Sequence, residues 1–166
     1  MKNELPYCKT SDSIVGYEHS ELAKLETKDC VVKSFASAFE ITYELAHQFV
    51  KETFNRENKR GTTKFATTMN LMSSLGKLLN SRYLKCLGEK TTGQFYSLMY
   101  DVKVKGITRK RKMTVGRFSK QYQKGTYILM VKGHAFTIKD GIVNGNESDA
   151  KKLKRTVYQA WEVVKS

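Results

Sequence analysis

The chain has 166 residues, which is enough for one domain with a sizeable hydrophobic core. Apolar residues make up 40% and aromatic residues 11%, a composition that predicts a folded rather than a disordered chain. There is no run of about 18 apolar residues, and the first residues contain no apolar signal core. We therefore expect neither a membrane span nor a secretory signal.

The cysteines indicate the redox compartment. Cys8, Cys30 and Cys86 are an odd number, and their spacing is not that of metal ligands. This pattern argues against a disulfide framework and is typical of a reducing environment. We therefore expect a cytoplasmic protein, and with no phosphate-binding glycine loop or metal-ligand cluster we expect no cofactor and no metal.

The net charge of +14 is unevenly distributed. Residues 1–30 carry four basic and six acidic side chains, whereas residues 105–124 carry eight basic side chains and no acidic one. The tail from 150 to 166 adds five basic residues against Glu162. Such an excess favours polyanionic partners, either nucleic acid or an acidic protein, although the same charge could serve solubility alone.

The first half of the chain reads as helical. Residues 1–28 are expected to be irregular, with one short turn near His19. The apolar spacing then predicts helices at 30–39, 42–55 and 64–75. Asp29 and Thr42 are the predicted N-caps of the first two helices, and Gly76 is predicted to end the third.

The second half reads mainly as strands. A short helix is expected at 113–122, capped by Thr114, and Asp140-Gly141 is a strong signal for a two-residue hairpin turn. The predicted strands are 82–87, 126–131, 134–139 and 142–144, and a basic helix is expected at 148–165. Helices followed by an antiparallel sheet and a closing helix predict a single α+β domain over 1–166.

Cys30 is the first candidate for chemistry, because it lies where a helix begins. The N-terminus of a helix presents unpaired N–H groups and the positive end of the dipole, and both favour the nucleophilic thiolate. Cys8 and Cys86 lack this placement, and Cys86 is expected to pack within a short apolar run. The alternative for Cys30 is a structural role.

His134 is the best partner among the three histidines. It follows Gly133 and starts an otherwise apolar strand, where a polar group needs a reason such as pairing with a thiolate. His47 is expected on the second helix, at the surface or half-buried. A core histidine satisfied by other contacts is the alternative reading of His134.

A third side chain should orient the imidazole ring. Asn144 ends the strand that pairs with the His134 strand, so its amide is expected near the base of His134. Asn146 is the alternative orienting residue, and Asp140 and Asp149 rank behind both. The Cys30 backbone N–H can supply one donor of an oxyanion hole.

These residues resemble those of papain-like-fold cysteine peptidases. The resemblance is above all to the bacteriocin-processing peptidase domains of export transporters, which have Asp-Cys at a helix start, then His, then Asp or Asn. Small phage and mobile-element proteins of the same presumed fold show a similar helix start and a similar distal run. The matching distal segments are 114–118 (TVGRF), 125–127 (GTY), 133–135 (GHA) and 140–141 (DG).

The resemblance implies a papain-like α+β fold, with N-terminal helices packed on a small antiparallel sheet and a basic C-terminal helix. It implies Cys30 as nucleophile, His134 as general base and Asn144 as the orienting residue. Two positions depart from the bacteriocin-type pattern: Lys24 stands where that pattern has glutamine, and Val31 where it has glycine. If the gene belongs to a phage, the expected location is the host cytoplasm.

A basic stretch precedes the short helix and forms a separate candidate site. Basic side chains with neighbouring aromatic rings can grip phosphates and stack bases, and Tyr122 and Tyr127 lie nearby in the sequence. A solvated loop is the alternative. The candidate polyanion-binding residues are Arg109, Lys110, Arg111, Lys112 and Arg117.

The sequence therefore supports three functional hypotheses. The first is a thiol hydrolase, similar to a cysteine peptidase, that acts on a peptide or protein. The second is a protein of the same fold without catalysis, which engages nucleic acid or an acidic host protein. The third is a deamidase or transglutaminase-like enzyme with the same triad. No membrane partner is expected.

Overall fold

The computed structural model describes residues 4–90 and 96–166, the side chains of residues 89, 90, 96 and 97 excepted. Residues 4–28 contain several short regular elements, which corrects the expectation of an irregular N-terminal segment at 1–28. This segment forms β1 (Tyr7–Lys9), α1 (Thr10–Ser13), a 3-10 turn (Tyr17–His19) and α2 (Glu21–Leu25). Strand β1 forms by pairing with residues 143–145, far along the chain, and the local sequence does not predict such a partner.

Three longer helices follow and confirm the predicted ones. They are α3 (Cys30–Phe39), α4 (Tyr43–Phe54) and α5 (Phe65–Leu75). The Thr42 hydroxyl accepts a hydrogen bond from the Leu45 N–H at 3.3 Å and caps α4. Gly76 ends α5 with a φ of +61°, a conformation that glycine adopts without steric cost.

The rest of the described chain is mostly strand. Its elements are β2 (Arg82–Cys86), β3 (Glu89–Lys90), β4 (Tyr96–Ser97), β5 (Met99–Val104), β6 (Ile107–Lys112), α6 (Val115–Gln121), β7 (Thr126–Val131), β8 (His134–Lys139), β9 (Ile142–Gly145), α7 (Glu147–Lys151) and β10 (Gln159–Lys165). The predicted strands 126–131 and 134–139 are confirmed. The predicted turn joins β8 to β9, with positive φ at both Asp140 (+49°) and Gly141 (+78°).

The main sheet has six strands in the order β1-β9-β8-β7-β10-β2. Its neighbours are antiparallel except β1 and β9, which run parallel, with Cys8 opposite Asn144. The domain is therefore α+β with a mixed sheet, rather than with the small antiparallel sheet expected. Strands β3–β4 and β5–β6 form two further two-stranded sheets.

The C-terminal segment corrects the sequence prediction of a basic helix at 148–165. Only the short α7 is helical there, and β10 is an inner strand of the main sheet, between β7 and the edge strand β2. Trp161 is opposite Ile128 on β7 and Cys86 on β2. The apolar residues of the C-terminal segment fit a helical period as well as an alternating one. Burial on both faces of the sheet favours the strand over the helix.

Buried residues fill both faces of the main sheet. One cluster joins Phe35 and Phe39 of α3 to Ile128 and Trp161, and the other joins Phe118 of α6 to the remaining face. Neighbouring residues of β7 contribute alternately to the two clusters, as the pleat of a strand requires. No helix in residues 4–90 and 96–166 has the length and apolarity needed to cross a membrane.

A buried ionic network holds the segment that leads into α3. The Glu26 carboxylate accepts hydrogen bonds from Arg56 (Nη2–Oε2, 2.9 Å) and the Lys59 N–H (2.9 Å), and its Oε1 is 2.9 Å from His47 Nε2. His47 lies on α4 as expected, but it is buried rather than at the surface or half-buried. Burial raises the pKa of Glu26, but the hydrogen bonds from Arg56, Lys59 and His47 lower it to about 2.

Glu26→Gln should destabilise the protein strongly, because it leaves the fully buried Arg56 guanidinium without its anion. We expect a loss of about 3–5 kcal/mol in the free energy of unfolding, measured by urea denaturation at pH 7. The matched control is Glu21→Gln, which removes an exposed ion pair with Lys24 and should leave the urea midpoint unchanged. Equal midpoints for the two variants would contradict the structural role of the network.

The same network should make the stability of the protein depend on pH in the acid range. The pKa of Glu26 is about 2 in the folded protein against an ordinary value of 4.5. The stabilisation is therefore present above pH 4.5 and is lost as pH falls toward 2. The Glu26→Gln variant should lack this part of the acid sensitivity in the same urea series.

Candidate active site

Cys30 is the first residue of α3, as predicted. Asp29 occupies the N-cap position, but its carboxylate accepts a hydrogen bond from the Tyr43 hydroxyl at 2.6 Å and pairs with Lys33 at 3.1 Å. These partners differ from the expected side-chain cap.

His134 begins β8, lines the same cleft as Cys30 and is the side chain that lowers the pKa of the Cys30 thiol. Its Nε2 is 3.0 Å from Asp149 Oδ1 and 3.1 Å from Oδ2. Because Nε2 is engaged with the carboxylate, Nδ1 is the ring nitrogen left to face the sulfur. The structure therefore brings together a thiol, an imidazole and a carboxylate in the arrangement of a nucleophile, its base and an orienting group.

The electrostatics of the pair favour the charged forms of both groups. Burial raises the pKa of the Cys30 thiol, but hydrogen bonds with His134 and the Ala135 N–H bring the net pKa below its ordinary value. Hydrogen bonds with Asp149 and then Cys30 raise the pKa of His134 to about 9, against the opposing effect of burial. Both shifts favour the thiolate–imidazolium form of the pair over the neutral form.

Asp149, rather than Asn144, orients His134. The Asn144 amide donates instead to the Ser37 hydroxyl at 3.1 Å. Asn146 stands at the N-cap of α7, and it is its backbone N–H that bonds Asp149 Oδ2, at 3.1 Å. The predictions of Asn144 and Asn146 as orienting residues are replaced, because the turn from β9 into α7 carries the third residue of that helix over the imidazole.

A sequence signal for Asp149 exists. A polar N-cap residue followed three positions later by a carboxylate is the pattern of a capping box, and Asn146 and Asp149 have that spacing. The box fixes the direction of the carboxylate at a helix start. It could therefore have ranked Asp149 above the two asparagines.

The Asp149 carboxylate is almost completely buried and firmly held. Its side chain is 1% exposed, and Arg155 donates to Oδ1 at 3.2 Å. Gly145 leaves the space that the carboxylate occupies, since a Cβ at that position would lie 2.9 Å from Asp149 Oδ2. Gly145 is thus a positioning residue that the sequence did not single out.

A cleft of about 670 Å³ opens beside the cysteine and histidine. This volume is in the range of ligand-binding clefts in enzymes. One group of lining residues comes from β7 and β8, and another from the end of the segment between α4 and α5 and the first residue of α5. The main lining residues from these two groups are Met130, Val131, Ala135, Gly61, Thr62 and Phe65.

Lys24, which stands where the bacteriocin-type pattern has glutamine, lies apart from the cleft lining, whereas Lys28 is part of it. Lys24 lies on α2, is more than half exposed and pairs with Glu21 at 2.9 Å. Lys28 lines the cleft instead, with a φ of +50° that a lysine rarely adopts. The Cys30 backbone N–H, at the start of α3, remains the candidate oxyanion donor.

The other cysteines lie away from this site. Cys8 is on β1 and Cys86 on β2, where Cys86 packs against the core as expected and burial raises its pKa to about 11. Among the described residues, no three His, Cys, Asp or Glu side chains group in a way that would hold a metal ion.

Comparison with protein-family models, curated proteins and solved structures finds no match to this chain. The function is therefore inferred from the geometry of Cys30, His134 and Asp149 and from the cleft beside them.

Gly145→Ala should displace the Asp149 carboxylate and lower the pKa of His134 from about 9 toward its ordinary 6.5. The measurement is an NMR pH titration of the His134 ring protons. Gly61→Ala is the matched control, because Gly61 lines the same cleft and an added Cβ there meets no atom within 4 Å. A His134 pKa that stays near 9 in both variants would contradict the positioning role of Gly145.

Proposed function

We propose that this protein is a thiol hydrolase with a papain-like arrangement, in which Cys30 carries an acyl group from a peptide or protein substrate. One observation carries the proposal: the sulfur of Cys30, the imidazole of His134 and the buried carboxylate of Asp149 meet at the edge of an open cleft. An open cleft favours hydrolysis over the alternative of a binding protein that retains the fold without the chemistry.

The reaction begins with the Cys30 thiolate, which attacks the substrate carbonyl carbon and forms a carbon–sulfur bond. The carbonyl oxygen becomes an oxyanion, and the N–H at the start of α3 stabilises it. His134 then gives its proton to the leaving amine, and the carbon–nitrogen bond breaks. The products of this half are a thioester on Cys30, a free amine and a neutral imidazole.

Hydrolysis of the thioester restores the enzyme. His134 takes a proton from water, and the resulting hydroxide attacks the thioester carbonyl. The carbon–sulfur bond breaks, the acid leaves, and thiolate and imidazolium are regenerated. Asp149 keeps Nε2 protonated and the ring in place throughout, which is the role of the third member of such a triad.

The papain-like fold is part of the same proposal. Support comes from the chain order of the site, with a cysteine at a helix start, a histidine at a strand start and a carboxylate after the following strand. The family that the sequence resembles accepts Asp or Asn as its third residue, so Asp149 fits that order. The resemblance of residues 114–141 supports a phage or mobile-element origin.

The thiolate predicts an unusual pH profile for alkylation by iodoacetamide. Cys30 should react at lower pH than an ordinary thiol and reach its plateau first, because its pKa is lowered, whereas Cys86 should gain rate up to about pH 11. Site-resolved mass spectrometry separates the two rates. Asp149→Asn should slow Cys30 alkylation at pH 6. Without the carboxylate the pKa of His134 falls, so less imidazolium is present to stabilise the thiolate. Equal profiles for Cys30 and Cys86 would contradict an activated thiolate.

Hydrolysis itself should depend on both groups. In a digest of a mixed peptide library followed by mass spectrometry, Cys30→Ala should abolish cleavage and His134→Ala should lower it by about 10²–10⁴-fold. The wild-type rate should fall above pH 9, where the imidazolium loses its proton, although alkylation of Cys30 stays fast there. Cys86→Ser is the matched control and should retain activity. Cleavage that survives Cys30→Ala would overturn the proposal.

A further inference from the structure

Strands β5 and β6 form a hairpin outside the main sheet, here called the basic ribbon (Met99–Lys112). Its two-residue turn is Lys105-Gly106, with φ of +51° and +77°. All six residues of β6 are exposed to solvent. The basic stretch that the sequence singled out is therefore a projecting strand and not a solvated loop.

The ribbon carries cations on both faces. Residues opposite each other across the two strands share a face, so Arg109 and Arg111 lie on the face of Val102 and Tyr100. Lys112 and Lys103 lie on the other face, with Lys110 opposite Asp101. In total the ribbon has six basic residues and one acidic one, and one of the six, Lys105, lies at its tip.

The base of the ribbon is anchored in the folded domain. Leu98 and Met113 flank it, are buried in the core and are joined by a hydrogen bond from the Met113 N–H to the Leu98 carbonyl (3.3 Å). The Arg117 guanidinium of α6 lies 4.7 Å from the centre of the Tyr100 ring and adds a cation beside this base. The ribbon thus has a fixed point of attachment.

Stability offers no reason for this charge pattern. A two-stranded ribbon is marginal in water, and adjacent like charges weaken it further. Charges on an exposed edge strand prevent edge-to-edge aggregation, but that purpose does not require cations on both faces and at the tip. A polyanion that surrounds the ribbon would explain why cations lie on both of its faces and at its tip.

The neighbouring tyrosines argue against base stacking, which the sequence had suggested. Tyr127 is buried, and Tyr122 stacks on Phe118 with ring centres 4.5 Å apart. Arg117 lies over the Tyr100 ring. Binding would therefore depend on phosphate contacts and not on aromatic platforms for unpaired bases.

We propose that the basic ribbon binds double-stranded DNA by entering the major groove, where cations on its two faces meet phosphates of both strands. The major groove of B-form DNA is about 12 Å wide and admits a two-stranded ribbon. Six-residue strands reach about 20 Å, enough to follow the groove past several phosphates. The deep, narrow major groove of A-form RNA does not admit it. Ribbon residues do not line the Cys30 cleft, so this site is separate from the proposed hydrolase.

The test is fluorescence anisotropy with the full chain and a labelled 20-base-pair DNA duplex, at 50 to 200 mM salt. Replacement of the β6 cations by Gln should weaken binding at 50 mM salt by about 30-fold or more and should reduce the slope of log K against log salt by about 3. The residues replaced are Arg109, Lys110, Arg111 and Lys112. The control variant removes the same charge from exposed lysines elsewhere, namely Lys51, Lys85, Lys124 and Lys152.

The replacement of four residues could disturb the hairpin, so a double substitution on each face is tested as well. Arg109→Gln/Arg111→Gln and Lys103→Gln/Lys112→Gln should each lose part of the affinity, and unchanged Cys30 alkylation reports that the domain remains folded. Equal weakening by the control variant, absence of wild-type binding at 50 mM salt, or loss confined to one face would overturn the proposal. Tighter binding to single-stranded DNA, duplex RNA or heparin would overturn the assignment of duplex DNA.

Discussion

The candidate site depends on one buried carboxylate. Asp149 has almost no contact with solvent, so its charge must be satisfied by protein groups, and three donors do this: the His134 ring, the Arg155 guanidinium and the Asn146 N–H. These donors come from β8, from the segment after α7 and from the start of α7. The same contacts that stabilise the charge therefore fix the imidazole in its place beside Cys30, and Gly145 leaves the room for them.

A second buried carboxylate holds the other side of the site. Glu26 joins Arg56 and His47 to the segment that runs into α3, and Arg56 also donates to the Thr27 carbonyl at 3.2 Å. The approach to Cys30 is therefore tied to α4 by ionic contacts as well as by apolar packing. Nucleophile and base come from separate elements, and each is positioned by its own buried anion. Such support is what a preorganised site requires, since small displacements of reacting groups cost much of the rate.

The ribbon and the cleft divide the molecule into two proposed functions. The cleft beside Cys30 and His134 has a mixed lining, in which Lys28 and Lys33 are accompanied by Asp29 and Asp149. Much of the basic excess lies instead in the exposed ribbon and in α6 beside it. A hydrolase held on DNA by a separate arm would meet substrates that are themselves bound to DNA. Long-range attraction by the ribbon would act at low salt, whereas chemistry in the cleft would be much less sensitive to ionic strength.

The sequence alone determined what depends on neighbouring residues. The helical period and caps defined α3 and α4, alternation defined β7 and β8, and Asp140-Gly141 defined the turn between β8 and β9, so the placement of Cys30 and His134 was predictable. Tertiary structure alone decided the remainder. The apolar residues of 157–164 suit either period until β7 and β2 pair with them, and β1 exists only through its parallel partner β9. The choice of Asp149 over Asn144 follows from where β9 turns into α7. The spacing of Asn146 and Asp149 marks a capping box, but only the fold brings that carboxylate to the imidazole of His134.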